Sequence, residues 1–149
     1  MAVLTNIKPV AKNFSQPQDI DCSETHSPVA KLETIRTILC IATEERMLLT
    51  QFDVSTAFLY EDLEEIIYMK QLEGFKDDTE RVCKLRRSLY GLKQSPRYWN
   101  NCFGQFLTDL DLKESEADPC LYICDRKKIK IKILLVLNVY DELTATTDQ

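Results

Sequence analysis

Residues 129–137 constrain the fold of this chain more than any other segment. They read Ile-Lys-Ile-Lys-Ile-Leu-Leu-Val-Leu, which begins as an alternation of apolar and charged residues and ends as a continuous apolar run. Alternation is typical of a half-buried strand, and a continuous apolar run is typical of a strand that enters a core. Residues 120–124 also predict a strand, and the charged residues 125–128 between them predict a turn.

Two segments begin with Ser-Pro and continue with apolar residues at helical spacing. Ser27 and Pro28 precede one stripe, and Ser95 and Pro96 precede a second that contains Trp99 and two phenylalanines. Serine can accept hydrogen bonds from the free amides of a first turn, and proline fits the first helical position, so both pairs predict helix starts. Further short strands are predicted at residues 48–54, 66–69 and 143–146. Together these elements indicate an α+β fold.

Composition is that of one soluble domain, with 149 residues, 44% apolar and 29% charged. No apolar stretch is long enough to cross a bilayer, and the first residues lack the apolar middle of a secretory signal. We therefore expect a cytoplasmic or nuclear protein that is not secreted and does not contact a membrane. The six cysteines are scattered and His26 is the single histidine, so we expect reduced thiols and no structural zinc.

The net charge of −5 argues against a nucleic-acid partner, but the distribution of charge argues for one. Between residues 81 and 97 the chain carries basic residues without any acid, and residues 126–132 form a second basic run. The first run contains Arg81, Lys84, Arg86, Arg87, Lys93 and Arg97. For a basic run in isolation, a solvated face is the favoured interpretation. The alternative is a nucleic-acid surface, because a phosphate backbone responds to the local field and not to the net charge.

Two aspartates follow apolar strands, where a carboxylate is costly to bury unless it is paired or binds metal. Asp53 lies in Gln-Phe-Asp-Val-Ser, and Asp141 lies in Leu-Asn-Val-Tyr-Asp-Glu. If the two strands are neighbours, both carboxylates reach one edge of a sheet, where they could hold Mg²⁺ together with substrate phosphates. The alternative is that each aspartate is a helix cap or a turn residue.

Six motifs in one order resemble the reverse transcriptase of copia-type retrotransposons, from about Lys8 to the C-terminus. They are VAKNFSQ, SPVAKLETIRTIL, FDVSTAFL, EEIIYMKQLEGF, VCKLRRSLYGLKQSPRYW and SEADPCLYI. The resemblance implies a polymerase palm, an antiparallel sheet backed by helices, with partial fingers and the thumb missing. It implies a partial fingers segment at residues 1–27 and a palm with fingers insertions at residues 28–149, truncated at the C-terminus.

The resemblance also assigns site residues. It implies that Asp53 and Asp141, with the backbone of Val54, hold the catalytic Mg²⁺ or Mn²⁺. It implies a nucleotide site at Phe58, Tyr90, Gly91, Lys93, Lys8 and Lys12, and nucleic-acid contacts at Arg86, Arg87, Gln94 and Arg97. The expected partners are an RNA or DNA primer-template and deoxynucleotides. Phe58 has a competing interpretation as a core residue, because aromatic residues are mostly packing.

The chain departs from the family at its last palm motif, which is normally Tyr-Val-Asp-Asp. Here it reads Asn138, Val139, Tyr140 and Asp141, so tyrosine replaces the first aspartate. A neutral phenol cannot replace a carboxylate as a Mg²⁺ ligand, so we expect weakened metal binding and impaired nucleotidyl transfer. Glu142 could compensate only if a bulge turned it to the same face. Asn13, Glu61, Leu72 and Lys8 also differ from the family pattern.

The expected function is therefore two-metal RNA-directed DNA synthesis by a fragment of a retrotransposon polyprotein, in impaired form. The first alternative is a catalytically inactive domain that binds nucleic acid or another protein. The second is a decayed transposon fragment without a selected role.

Overall fold

The computed structural model of the chain describes residues 10–11, 25–59, 62–77, 79–126, 131–139 and 141–147. The elements are, in chain order, α1 (Leu32–Glu44), β1 (Leu48–Asp53), a 3-10 helix (Ala57–Leu59), β2 (Tyr68–Lys70), β3 (Val82–Lys84), α2 (Ser95–Asp109), β4 (Lys113–Ser115), β5 (Asp118–Arg126), β6 (Ile131–Asn138) and β7 (Asp141–Thr146). Strands β1, β7, β6, β5 and β4 form a five-stranded antiparallel sheet in that order, and β2 pairs with β3. The predicted α+β class is confirmed.

The chain divides into two compact units. One comprises Ser27–Ala57 and Trp99–Gln149 and contains the five-stranded sheet with α1 and most of α2. The other comprises Phe58–Tyr98 together with residues up to His26, and contains the β2–β3 hairpin. The predicted fingers and palm boundaries stay a prediction. No helix in the described ranges is long and apolar enough to span a membrane.

The central strands of the five-stranded sheet are covered on both faces. On one face α1 packs against the central strands, in a core of Ile38, Ala42, Met47, Leu134, Val136 and Ala145. On the opposite face α2 and the chain after it pack in a core of Leu107, Leu112, Tyr122, Cys124, Leu135 and Leu137. The alternating membership of residues 134–137 shows that β6 is buried on both faces, as its continuous apolar run predicts.

The predicted hairpin of the last two strands is confirmed, but its second arm is longer than predicted. β6 pairs with β7 from Ile133 opposite Thr146 to Asn138 opposite Asp141. The strand was predicted to start at residue 143, and this is wrong because Asp141 and Glu142 belong to β7. Paired strands can satisfy their backbone groups up to the turn, and this ladder overrides the low β-propensity of acidic residues.

The predicted start of α1 at Ser27 and Pro28 is wrong, since the helix begins at Leu32. A residue distant in sequence supplies its cap: the Lys31 amide donates to Asp118 Oδ2 at 3.0 Å, and Thr34 Oγ1 donates to the same oxygen at 2.5 Å. Asp118 thus satisfies the free amide of Lys31, the N-cap residue, and holds the side chain of Thr34 in the first turn. Local sequence cannot reveal a cap that comes from the start of β5.

The predicted start of α2 at Ser95 is confirmed. The Ser95 hydroxyl is fully buried and donates to the Leu89 carbonyl at 2.6 Å. It also lies 2.5 Å from the hydroxyl of Ser88, which is fully buried as well. The strand predicted at residues 66–69 is found two residues later, as Tyr68–Lys70.

Candidate functional site

Asp53 and Asp141 lie directly opposite each other in the five-stranded sheet. Asp53 is the last residue of β1, Asp141 is the first residue of β7, and the register of the two antiparallel strands pairs them. Asp141 is also opposite Asn138, the last residue of β6. The proposed condition that the two strands be neighbours is therefore met. Opposed residues in such a ladder have their Cβ atoms roughly 5 Å apart on one face.

The face on which these aspartates lie follows from the register. Leu134 and Val136 contact α1, so Asn138 and its partners Asp141 and Asp53 belong to the same face. Both aspartates are exposed to solvent. Two exposed carboxylates side by side suit a Mg²⁺ ion that keeps several waters and also binds substrate phosphates. The donor set fits a divalent cation, although it supplies two carboxylates and not three.

The backbone of Val54 was predicted to be a further metal ligand. Its carbonyl accepts a hydrogen bond from the Ala57 amide at 3.2 Å, which closes the turn after β1. A carbonyl has two lone pairs, so the second can still face a ligand. The role of Val54 stays a prediction.

Glu142 lies on the opposite face from Asp141. It pairs with Phe52 and with Leu137, and Leu137 belongs to the core against α2. Its side chain is 1% exposed, and neither carboxylate oxygen has a hydrogen-bond partner in the described structure. Burial, with smaller contributions from the charges of Asp53 and Asp141, raises the pKa of Glu142 to about 7. Alternation alone would have predicted this burial once Asp141 was placed at the exposed face.

The compensation of Tyr140 by Glu142 is not supported. It requires a bulge, and the pairing of β7 with both neighbours is continuous through Asp141 and Glu142. Tyr140 itself lies outside the described residues. Within the described ranges no group of three His, Cys, Asp or Glu side chains could hold a metal ion.

Strained backbone flanks the aspartate pair on both sides. Thr56, three residues after Asp53, has φ of 63°, and Val139, two residues before Asp141, has φ of 61°. Branching at Cβ makes the left-handed region costly for both residues, by about 1–2 kcal/mol each. The surrounding sheet must therefore hold these turns, which fix where the two strand ends stop.

In the second unit the structure brings together part of the predicted nucleotide site. The rings of Phe58 and Tyr90 lie 4.8 Å apart at 54°. Phe58 is 6% exposed, so in this structure it packs as a core residue. Its predicted role in the nucleotide site stays a prediction.

Gly91 has a demonstrable reason to be glycine. Its φ is +86°, and an added Cβ would lie 2.1 Å from the Ala11 carbonyl oxygen. The Ala11 amide donates to the Tyr90 carbonyl at 2.7 Å, and Val10 forms a parallel bridge to Tyr90. Gly91 thus allows the backbone of residues 10–11 to approach closely, and its role in the nucleotide site stays a prediction. Lys8 and Lys12, on either side of that segment, lie outside the described residues.

The basic residues between positions 81 and 97 differ in their surroundings. Arg81 forms an ion pair with Asp77, and Arg87 lies 3.5 Å from the Asp62 carboxylate. Lys84 and Arg86 are exposed. Lys93 and Arg97 are half-buried, whereas Gln94 is fully buried and is not part of an exposed surface. Contacts of Arg86, Arg87, Gln94 and Arg97 with nucleic acid stay predictions.

Comparison with known proteins identifies the family of the chain. A family model described as "Reverse transcriptase (RNA-dependent DNA polymerase)" matches residues 3–149. No solved structure matches the chain significantly.

Curated relatives are retrotransposon polyproteins of plants. The Retrovirus-related Pol polyprotein from transposon TNT 1-94 of Nicotiana tabacum is 44% identical over 142 residues, which are 94% of this chain and 11% of that protein. The Pol polyprotein from transposon RE1 of Arabidopsis thaliana is 38% identical over 131 residues, 87% of this chain and 9% of that protein. The chain thus spans about a tenth of the length of these relatives. With an aspartate pair at its sheet edge and a family match along nearly its whole length, the chain belongs to the reverse transcriptase family of copia-type retrotransposon Pol polyproteins.

Proposed function

We propose that this chain is the catalytic core of a retrotransposon RNA-directed DNA polymerase in which nucleotidyl transfer is impaired. The opposition of Asp53 and Asp141 carries this proposal, since it places two carboxylates at the solvent-exposed end of neighbouring strands. In this assignment the five-stranded sheet and its two helices are the palm. The β2–β3 hairpin belongs to the fingers.

The residues of the chain have distinct tasks in this reaction. Asp53 and Asp141 bind a divalent cation, and the Val54 carbonyl offers a further oxygen beside Asp53. The cation, when bound, stabilises charge on the attacking and leaving oxygens of the transfer. Because phosphoryl transfer depends mainly on positioning and electrostatics, the rigid strand ends matter as much as the charges. Phe58, Tyr90 and Gly91, which belong to the second unit, contribute to the nucleotide site, with Lys93, Lys8 and Lys12 as phosphate contacts.

The impairment follows from the residue at position 140. The family motif has an aspartate there, and this chain has a tyrosine. Glu142 does not replace it, because it is buried on the other face of β7. Two carboxylates leave more positive charge of a two-metal site uncompensated than three would, so cation affinity and rate should both fall.

The direct test is primer extension on an RNA template with Mg²⁺ or Mn²⁺. We expect slow or undetectable extension by the wild type and at least about a 100-fold gain in Tyr140→Asp, by analogy with the loss from removing one transition-state contact. Asp53→Asn in the Tyr140→Asp background should abolish the gain. A Tyr140→Asp chain with native circular dichroism that extends no faster than wild type would contradict the proposed cause of the impairment. Extension that survives Asp53→Asn would contradict the site.

A second candidate function is nucleic-acid binding without catalysis, and the exposure of Lys84 and Arg86 favours it. We expect binding of a primer-template that weakens with salt, and a Lys84→Gln/Arg86→Gln variant whose salt slope is smaller by roughly 2. Arg81→Gln is the matched control, because Arg81 is already paired with Asp77. Equal effects of both changes would argue against this surface.

A further inference from the structure

Strand β1 is an open edge of the five-stranded sheet. In the described part of the chain β1 pairs with β7 and has no strand on its other side. All six residues of β1 are exposed, including Leu48 at 61%, Leu49 at 42% and Phe52 at 38%. An exposed apolar edge presents unpaired backbone groups to which another strand can add.

The opposite edge of the same sheet carries the protections that β1 lacks. Strand β4 has three residues, of which Lys113 and Glu114 are charged, and its pairing with β5 is irregular between Glu114 and Ser115. Short length, charge and a bulge all discourage strand addition. The sequence of β1, Leu-Leu-Thr-Gln-Phe-Asp, is twice as long, pairs in regular register and is uncharged before Asp53.

We propose that β1 pairs with β1 of a second copy of this chain, antiparallel and across a twofold axis at Thr50. This inference is independent of the polymerase function. In a twofold antiparallel pair, directly opposed residues lie on the same face of the joined sheet. When Thr50 of one copy lies opposite Thr50 of the other, Leu48 of each copy lies opposite Phe52 of the other copy. Leu48 and Phe52 both belong to the face that also carries Glu142. Leu49 then lies opposite Gln51.

Charge also favours a second copy in this register. The single charged residue of β1 is Asp53 at its end. Antiparallel pairing centred on Thr50 places the two Asp53 residues at opposite ends, roughly 20 Å apart at about 3.3 Å per residue. The alternative register centred on Gln51 places Asp53 opposite Leu49 and Phe52 opposite Thr50, and it moves Leu48 opposite Val54, beyond the end of β1. The edge is therefore self-complementary in one register.

Cross-linking tests the pairing and its register together. In a background with Cys22, Cys40 and Cys83 changed to serine, Thr50→Cys should form a disulfide-linked dimer under oxidised glutathione, because opposed residues have Cα atoms about 4.5–5.5 Å apart in either kind of antiparallel pair. Gln51→Cys is the matched control on the neighbouring residue, which has Leu49 as its partner. We expect it to cross-link at least about 10-fold more slowly, since its thiols face different residues.

Sedimentation of the unmodified chain supplies the second measurement. A single strand pair is a small interface, so we expect dimerisation only toward the upper end of a range from about 1 to about 200 µM. Thr50→Lys, which places two cations opposite each other, should keep the chain monomeric with unchanged circular dichroism. If wild type stays monomeric over this whole range and Thr50→Cys forms no cross-link, the proposal that β1 pairs with a second copy is wrong. Equal cross-linking of Thr50→Cys and Gln51→Cys would overturn the register.

Discussion

Two buried acids in one sheet have opposite surroundings. Asp118 and Glu142 are each 1% exposed. Asp118 accepts hydrogen bonds from the Lys31 amide, the Thr34 hydroxyl and the Cys120 amide, the last at 3.0 Å. Glu142 has no donor to either oxygen in the described structure. A buried charge costs free energy in both places, but donors offset the cost only at Asp118.

The pKa values of the two acids follow from this difference. Burial raises the pKa of Asp118, but the hydrogen bonds from Thr34, Cys120 and Lys31 outweigh it and the net shift is downward. At Glu142 burial and the neighbouring charges act in the same direction, and the pKa rises to about 7. The partners of a carboxylate, more than its depth, decide whether it stabilises the fold. Asp118 joins α1 to β5, whereas Glu142 is a destabilising charge beneath the candidate metal site.

Removal of the satisfied acid should have the largest effect. Asp118→Ala leaves the Lys31 and Cys120 amides and the Thr34 hydroxyl without their acceptor, so we expect the free energy of unfolding to fall by about 3 kcal/mol. Urea unfolding followed by circular dichroism measures it. Glu116→Ala, an exposed acid two residues away, is the control and should change stability by less than about 0.5 kcal/mol. Equal losses would mean that the cap does not hold α1.

Removal of the unsatisfied acid should have the opposite sign. Glu142→Leu places an apolar side chain beside Leu137 and removes the unpaired carboxylate, so we expect a gain of about 2 kcal/mol at pH 8. The measurement is the same urea titration. Glu114→Leu, an exposed acid on β4, should change stability by less than about 0.5 kcal/mol. A loss of stability in Glu142→Leu would show that Glu142 has a favourable partner.

The pH dependence of stability should distinguish the two acids. The folded chain holds the Glu142 proton up to about pH 7, while the unfolded chain loses it near the ordinary pKa of 4.5. Stability should therefore fall as pH rises through this window, by about 1–2 kcal/mol. Asp118 has a lowered pKa, so its stabilisation is present above the ordinary value of 3.8 and is lost only in more acidic solution. The contribution of Glu142 is isolated by measuring the free energy of unfolding of wild type and Glu142→Gln between pH 4 and 8. A difference between the two that does not change with pH would rule this contribution out.

The smallest effect should come from a single donor to Asp118. Thr34→Val removes one of its hydrogen bonds and keeps the shape of the side chain, so we expect a loss of about 1 kcal/mol. Thr37→Val is the control on the same helix, because its hydroxyl donates to the Glu33 carbonyl of the preceding turn. In an Asp118→Ala background the Thr34→Val loss should disappear. A loss of stability that persists in the Asp118→Ala background would mean that Thr34 stabilises the fold through a contact other than Asp118.

Sequence reasoning succeeded where local pattern determines structure. The apolar run that ends in Leu137, the Ser95 start of α2 and the hairpin of β6 and β7 were all predictable. The two carboxylates were expected to meet if their strands were neighbours, and the register of β1 and β7 places Asp53 directly opposite Asp141. The first three features depend on periodicity and on strands that follow each other in the chain. Strands β1 and β7 are far apart in the chain, so the sequence could state their pairing only as a condition.

Sequence reasoning failed where a residue distant in the chain determines where an element begins or whether a side chain is buried. Ser27 and Pro28 resemble a helix start, but the cap of α1 comes from Asp118, which is separated from Lys31 by 87 residues. The burial of Gln94 likewise depends on tertiary contacts. The ion pair between Arg81 and Asp77 is local, between residues four apart, and was not predicted either. Strand β4 was not predicted, because three residues with two charges carry almost no β signal.

Binding of Mn²⁺, measured by the loss of the free-ion signal in electron paramagnetic resonance, tests most directly whether the aspartate pair is a metal site. We expect weak binding by the wild type, tighter binding by Tyr140→Asp, and loss of binding in both when Asp53 or Asp141 is changed to asparagine. Glu142→Gln should keep the site, because Glu142 lies on the other face of β7. Binding that survives Asp53→Asn, or that Glu142→Gln abolishes, would contradict the assignment.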